Sequence, residues 1–495
     1  MGAWSSASYR TVIAFVLVLS SLHLLADTLE RSVLDQSIEE LQAQLQAGTL
    51  SSVDLVRWYQ DRIDRYDQKG PAINAIQHAN PNASQLAQAL DEERRISGPR
   101  SLLHGIPVLI KDNYETRGMP TTAGSILFEG HVPDRDATQV ERLKKAGAII
   151  LAKTTMHEFA YGWTTEGSAF GATKNPYGLT RHPGGSSGGE ASALASGMSP
   201  LGLGNDIGGS VRNPAFCCGV ASLKPSAGRI PHASSIPPED SGLAAQLLLT
   251  EGPIARHVKD LRLAYETLSG RDSRDPQSTD APLYGPDVKK RAAIVTDIPG
   301  VELPESTRDA LLQAATALEE MGWETVEIQP PELAHVHEVW MHHLSADFKP
   351  LLGDMSAVMT DAPLEFLRLL CERNDPAAVG LANIHAERNR LSRLWSEFFT
   401  ANPIMVGPTW TGPQFEHDAD INGVVGLELA IDLLRFISPA NVLGLPSAAI
   451  PIGVTDGLPT GVQVYADRWR DDLALSGAEA IEAVVGQICP IDPRF

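Results

Sequence analysis

Residues 183–212 read PGGSSGGEASALASGMSPLGLGNDIGGSVR. Two serines stand against paired glycines, Ser186 in GGSSGG and Ser210 in DIGGS, 24 residues apart. A serine hydroxyl is a weak nucleophile until a base removes its proton during attack. A second serine can carry that proton onward. A lysine can be the final base if burial or a neighbouring cation lowers its pKa toward the working pH. Upstream, HGIPVLIKDN places Lys111 just past the run Ile106–Ile110, whose unbroken apolar character predicts a buried strand. Lys224 in VASLKPS has a similar apolar setting and competes for the same part. For either lysine the plain alternative is a stem lying on apolar surface with its ammonium in water.

The glycines have a chemical use of their own. Attack on a carbonyl creates an oxyanion, and backbone N–H groups must converge on it. Consecutive amides converge only in dihedrals that glycine adopts readily. Ile207-Gly208-Gly209-Ser210 supplies such a row with a serine at its end, and Gly184-Gly185-Ser186 lets the backbone pass close by. One such cluster reads equally as a glycine-rich turn. Two, each with serine beside paired glycines, point to acyl transfer.

Around this stretch the pattern alternates between helix and strand. Ser37-Ile-Glu-Glu40 is a capping box opening a helix with Ile38, Leu41 and Leu45 on one face, and Gly48 closes it. Further helices are predicted over 55–66, 81–95, 137–145, 191–196 and 306–321. Strands are predicted over 106–110, 148–152, 292–295 and 324–328, with an Asp/Pro/Ser-rich linker over 269–286. Residues 333–435 read as mainly helical and cover one side of the site. The alternation predicts an α/β fold, a sheet covered by helices.

These motifs resemble the amidase signature family of serine hydrolases. The resemblance is densest from His104 to Pro225, including TTAGS at 121–125 and Gly171 with Asn175-Pro176, and returns in SPANVLGLP at 438–446 and GLPTGVQ at 457–463. It implies a single large domain, a mixed twisted β-sheet surrounded by α-helices, over residues 27–495. It further implies Ser210 as the acyl-enzyme nucleophile, Lys111 as the base, and Ser186 as the bridging serine behind a cis peptide bond. Ile207, Gly208, Gly209 and Ser210 would form the oxyanion hole. The reaction implied is hydrolysis of a carboxamide C–N bond other than a peptide bond, on a small-molecule amide, with no cofactor and no metal. The sequence departs from the family pattern at Cys217-Cys218 and at Ala221–Ser226. Lys224 falls in that second segment, which favours Lys111 as the base.

Composition narrows the partners. A formal net charge of −21 over 495 residues argues against nucleic acid. The four cysteines, Cys217, Cys218, Cys371 and Cys489, include no CxxC pair and read as small buried residues. The run TVIAFVLVLSSLHLLA at 11–26, after Arg10, predicts a signal peptide or N-terminal hydrophobic anchor over residues 1–26. The chain would then be secreted or associated with a membrane through that segment; the alternative is an apolar helix of a cytoplasmic enzyme. A monomer and a homodimer are both compatible with the sequence.

Three rival readings remain at this point. Gly185-Ser-Ser-Gly-Gly189 satisfies G-x-S-x-G, which would make Ser187 the nucleophile of an α/β-hydrolase esterase, with His417 the plausible late histidine. His335, His337, His342 and His343 around Glu338 suggest a metallohydrolase, although His337 and His342, five apart, cannot share a helix face. The amidase signature family also contains components of amidotransferase complexes that release ammonia for a partner chain; an export-like N-terminus argues against that role.

Overall fold

The computed structural model describes residues 33–166, 170–233, 236 and 241–493. The expected segment 1–26 lies outside them. Among the described residues no helix is long and apolar enough to cross a membrane.

One sheet organises the chain. Its strands are β1 (Ile76–Ala79), β2 (Pro107–Lys111), β3 (Ile149–Thr154), β4 (Leu201–Asp206), β5 (Ala221–Lys224) and β6 (Thr250–Ala255), then β7 (Arg291–Ile294), β8 (Glu324–Glu327), β9 (Ile404–Pro408), β10 (Ser447–Thr455) and β11 (Leu458–Ala466). They run in the order β1-β3-β2-β4-β6-β5-β10-β11-β9-β7-β8. The pairings are mixed. β2 lies parallel to both β3 and β4, and β7 parallel to β8 and β9; the other neighbours are antiparallel. Helices cover the sheet in a single large α/β domain, with every residue of β2, β3, β4, β5, β6 and β9 buried. Strands hidden on both faces need apolar side chains in both phases, which is why these segments read as runs rather than alternations.

The local signals explain the elements that flank the site. Ser37 accepts from the Glu40 amide while Glu40 reaches back to the Ser37 amide, and Gly48 ends the helix Ile38–Ala47 at φ 69°. Ile38, Leu41 and Leu45 of that helix are buried. The stretch 333–435 holds the expected helices, Leu333–Met355, Asp361–Arg373, Leu381–Ala401 and Gly423–Leu433. It also holds strand β9, which the helical expectation omits. Five residues ending in Gly-Pro are too short for periodicity to separate strand from helix, and their strand character comes from pairing between β11 and β7.

Candidate active site

The site is built where β2 and β4 end side by side. Their parallel register pairs Ile110 with Leu203, so the last residues of both strands emerge at one edge. Lys111 is the final residue of β2 rather than one step beyond it, and it is 0 % exposed. Its Nζ lies 2.7 Å from Ser186 Oγ and donates to Asn205 Oδ1 at 2.8 Å. Burial lowers the lysine pKa to about 8, against the opposing pull of Glu190, Glu251 and Asp206. Burial in turn pushes Glu190 up, to about 8, where it is hydrogen-bonded to Thr154 of β3. The more Glu190 is protonated, the weaker its hold on the lysine's charge. The Asn205 carbonyl fixes one N–H of the amine, which leaves the lone pair free to face Ser186.

The glycine clusters meet behind this pair. The Gly185–Ser186 peptide is cis. A Cβ on Gly185 would sit 1.9 Å from the Thr164 carbonyl oxygen, so only glycine permits that approach. The Ser187 amide donates to the Ser210 carbonyl at 3.3 Å, joining GGSSGG to DIGGS. Ser210 is 3 % exposed and opens the turn into the helix Arg212–Cys218.

A buried ion pair shapes the loop before Ser210. Asp206, at the end of β4, accepts from the amides of Gly209 (2.7 Å), Val211 (3.2 Å) and Arg212 (3.4 Å). Its other partners are the Arg212 guanidinium at 3.1 Å and Asn441 Nδ2 at 2.8 Å. Burial alone would raise the Asp206 carboxyl, but the Arg212 charge and the Arg212 and Asn441 hydrogen bonds hold it well below the usual carboxylate range. Gly209, at φ 103°, thereby directs its N–H into the brace and not into a hole for an oxyanion. This differs from the four-amide row expected from sequence. Among the described residues the amides of Ile207, Gly208 and Ser210 have no protein acceptor. Trp340 Nε1 donates to the Ile207 carbonyl at 3.0 Å. In a trans peptide C=O and N–H point opposite ways, so this bond also aims the Gly208 amide.

Asp206→Asn would leave the Arg212 charge buried without its counter-ion, and a loss of ~3–5 kcal/mol in unfolding free energy is expected. Chemical denaturation at neutral pH measures it. Because the folded Asp206 pKa is depressed, the wild-type contribution is full above the ordinary carboxylate value and is lost as pH falls below it.

A cleft that meets the site at Asn205 and Ile207 has a volume of about 130 Å³. Phe159, Tyr161, Phe348 and Leu351 give it an apolar side, Asn113 and Asn205 its amides, and Ile207, His232 and Asp347 line it as well. Tyr161 and Phe348 meet edge to face at 5.2 Å between centroids. Phe348 and Leu351 come from the helix Leu333–Met355, the region expected from sequence to cover the site.

The rival residues lie elsewhere or face away. Ser187 Oγ is buried without a partner among the described residues, and a Cβ on Gly204 of β4 would be 2.5 Å from it. It packs on the sheet, and no strand enters it as a nucleophile elbow requires. His417 pairs with Glu166. Ser187→Ala is therefore expected to keep kcat and to leave stability unchanged or raised by no more than ~1 kcal/mol, since it removes an unsatisfied hydroxyl; steady-state rates and thermal unfolding test both. The histidines near Glu338 diverge. His335 faces Glu338 and Glu387, and His337 bonds Ser438 at 2.8 Å. Among the described residues no group of three or more metal-ligating side chains converges.

Lys224 is also fully buried. Burial and the Arg212 charge lower its pKa to about 7, below that of Lys111. Its Nζ nevertheless donates to the Pro225 carbonyl at 2.8 Å, and among the described residues no serine hydroxyl is a hydrogen-bond partner of it. Geometry, not acidity, separates the two lysines. Lys224→Met is expected to change the unfolding midpoint while leaving kcat near wild type, as steady-state rates on the folded variant would show.

The family model for amidase matches residues 54–475. The chain belongs to the amidase family. It is 35% identical to an indoleacetamide hydrolase of Bradyrhizobium diazoefficiens over 90% of this chain and 85% of that one. It is 33% identical to a glutamyl-tRNA(Gln) amidotransferase subunit of Thermus thermophilus, over 90% of this chain and 96% of that one. Among solved structures it superposes on the peptide amidase of Stenotrophomonas maltophilia with a TM-score of 0.75 and 28% identity, covering 93% of this chain and 99% of that one. This amidase thus has the amidase signature fold, and its activity is hydrolysis of an amide.

Three residues around this amidase's site carry no role in the sequence reading: Asn205, Glu190 and Trp340. The polar pair Asn205-Asp206 ending a buried strand just before a glycine loop is a signal for the first. Trp340 lies 133 residues from its partner Ile207, and nothing local to either marks the contact.

Proposed function

We propose that Ser210 Oγ attacks the amide carbon of a small carboxamide and forms an acyl-enzyme. The Ser210 proton passes to Ser186 as Ser186 gives its own to neutral Lys111. The reverse relay protonates the departing nitrogen, which leaves as ammonia or an amine. Amides of Ile207, Gly208 and Ser210 receive the oxyanion. Water then attacks the ester and frees the acid. The observation that carries this reading is the buried Lys111, poised between Ser186 Oγ at 2.7 Å and Asn205 Oδ1 at 2.8 Å.

The aromatic, ~130 Å³ cleft favours a compact apolar acyl group, and its size favours primary amides over internal peptide bonds. A hydrolysis panel of aliphatic, aryl and peptide C-terminal amides tests this, with Ser210→Ala as the blank. Turnover of aryl and short aliphatic amides is expected; faster cleavage of an internal peptide bond would refute the substrate assignment. The likeness to an amidotransferase component keeps an assembly role in view. Purified chain hydrolysing amides alone supports the standalone enzyme, and activity only with an added partner chain supports the other.

The catalytic unit in this reading is residues 27–495, and residues 1–26 serve export or anchoring. In support, Val33 and Leu34 are already buried, and the Ile38 amide donates to Asp260 at 3.0 Å. Deleting 1–26 is expected to leave soluble enzyme with unchanged kcat and altered location in cell fractionation. Aggregation of the truncated chain would instead make the run a structural helix.

A further inference from the structure

A second cavity, of about 410 Å³, adjoins the cleft. His232, Ser241, Ala245 and Leu249 line both, so one wall separates them. Arg388 and Arg468 also line it. Arg388 Nη2 and Arg468 Nε lie 3.9 and 4.0 Å from one point, the place a Cβ on Gly444 would take. Arg388 Nε is spent on the Val442 carbonyl at 2.6 Å, and one Arg468 amine on the Ala227 carbonyl at 3.3 Å. The remaining guanidinium nitrogens have no acceptor among the described residues, and neither arginine is in an ion pair there.

The other charges around the cavity are engaged. Arg274 pairs with Asp272 and Glu141 at 3.0 and 2.8 Å. Asp275 accepts the amides of His232 and Gln277 at 2.8 and 2.9 Å. His232 is bonded to Glu251. Burial and the neighbouring Arg468 charge pull Arg388 down to about 10. Two cations held together cost free energy unless an anion joins them. This chain has 61 acidic residues against 40 basic ones, yet none of the described carboxylates pairs with these two arginines. The rest of the wall is mixed: Ala227, Ile230 and Leu247 are apolar, and Ser241, Gln246 and Gln277 add polar groups.

We propose that this cavity binds a small organic carboxylate, its carboxylate forked between Arg388 and Arg468. Guanidinium donors match the two carboxylate oxygens in spacing and plane. The volume, and the apolar part of the wall at Ala227, Ile230 and Leu247, leave room for a ring or short chain behind the carboxylate. The site is separate from the proposed reaction, so its binding is measurable without turnover.

The test is calorimetric titration of the full chain with benzoate, benzyl alcohol and inorganic phosphate at constant ionic strength. Benzoate is expected to bind saturably, and Arg468→Gln to weaken it at least about tenfold. Arg468 is exposed and its side chain makes only the one carbonyl hydrogen bond, so this variant folds; the Arg388→Gln/Arg468→Gln pair should abolish the heat. The Arg468 guanidinium lies 4.7 Å over the Trp469 ring. Benzoate should therefore change Trp469 emission, a signal that Trp469→Phe removes while the binding heat persists. Kinetics on a hydrolysed amide should show kcat of Arg468→Gln unchanged. No benzoate binding, or binding unaltered in Arg468→Gln, overturns the proposal. Equal binding of benzyl alcohol would also overturn it, and phosphate displacing benzoate more tightly would make the site one for compact oxyanions.

Discussion

Ser210→Ala is expected to lower kcat by at least about four orders of magnitude while leaving the unfolding midpoint within a degree or two of wild type. The side chain is small, and among the described residues its hydroxyl makes no hydrogen bond that holds the fold. In the proposed mechanism its loss removes the atom that forms the acyl bond. What persists is the residual effect of cleft binding and the oxyanion amides. Ser186→Ala should cost a comparable amount, and the double variant little more than either single one, because the two hydroxyls act in one relay. A fluorophosphonate reagent should label Ser210 in wild type, and peptide mapping should find no label on Ser187. Label on Ser187, with Ser210→Ala still active, would return the chain to the α/β-hydrolase reading. Independent, multiplicative losses in the double variant would separate Ser186 from the proton path.

The sequence carries the parts of this site that depend on backbone shape. Paired glycines beside serine mark positions where the chain must pass close to another segment, as Gly185 does against Thr164. An apolar run ending in lysine marks a buried strand with a polar tip, as β2 is. The brace is less visible. DIGGSVR contains both Asp206 and Arg212, but six-residue spacing does not announce an ion pair, and Asn441 joins it from 235 residues away. The brace also takes the Gly209 amide, which the glycine pattern alone would assign to the oxyanion. The aromatic wall lies in a stretch whose helical periodicity shows which residues are buried. Periodicity cannot show that Phe348 faces a cleft and Phe366 the Trp163 ring. Specificity is accordingly the least legible property, because it rests on contacts between elements far apart in the chain.

Lys111→Ala is expected to cost several orders of magnitude in kcat with the fold retained, and Lys111→Arg is expected to restore none of it. Arginine stays protonated and has no lone pair to accept the Ser186 proton. Lysine at about 8 is neutral in a working fraction near neutrality and fully so well above it. The rate should therefore rise with pH through about 8 and fall below it, as Lys111 gains a proton. The same shift has a thermodynamic trace. The unfolded lysine titrates near 10.5 and the folded one near 8, so between these values the unfolded chain binds more protons. Stability rises with pH across that window, and the buried group's penalty, ~3 kcal/mol when full, applies below it. Lys111→Met should lose this slope while keeping those of Lys153 and Lys224, whose pKa values burial also lowers. Denaturant unfolding of wild type and Lys111→Met across the window between the two pKa values isolates the difference. The two measurements fail separately. An acid limb absent from wild type, with the stability slope present, would mean that Lys111 is buried but is not the base. A Lys111→Ala enzyme with near-wild-type kcat would remove lysine from the mechanism and leave Ser186 without a proton acceptor.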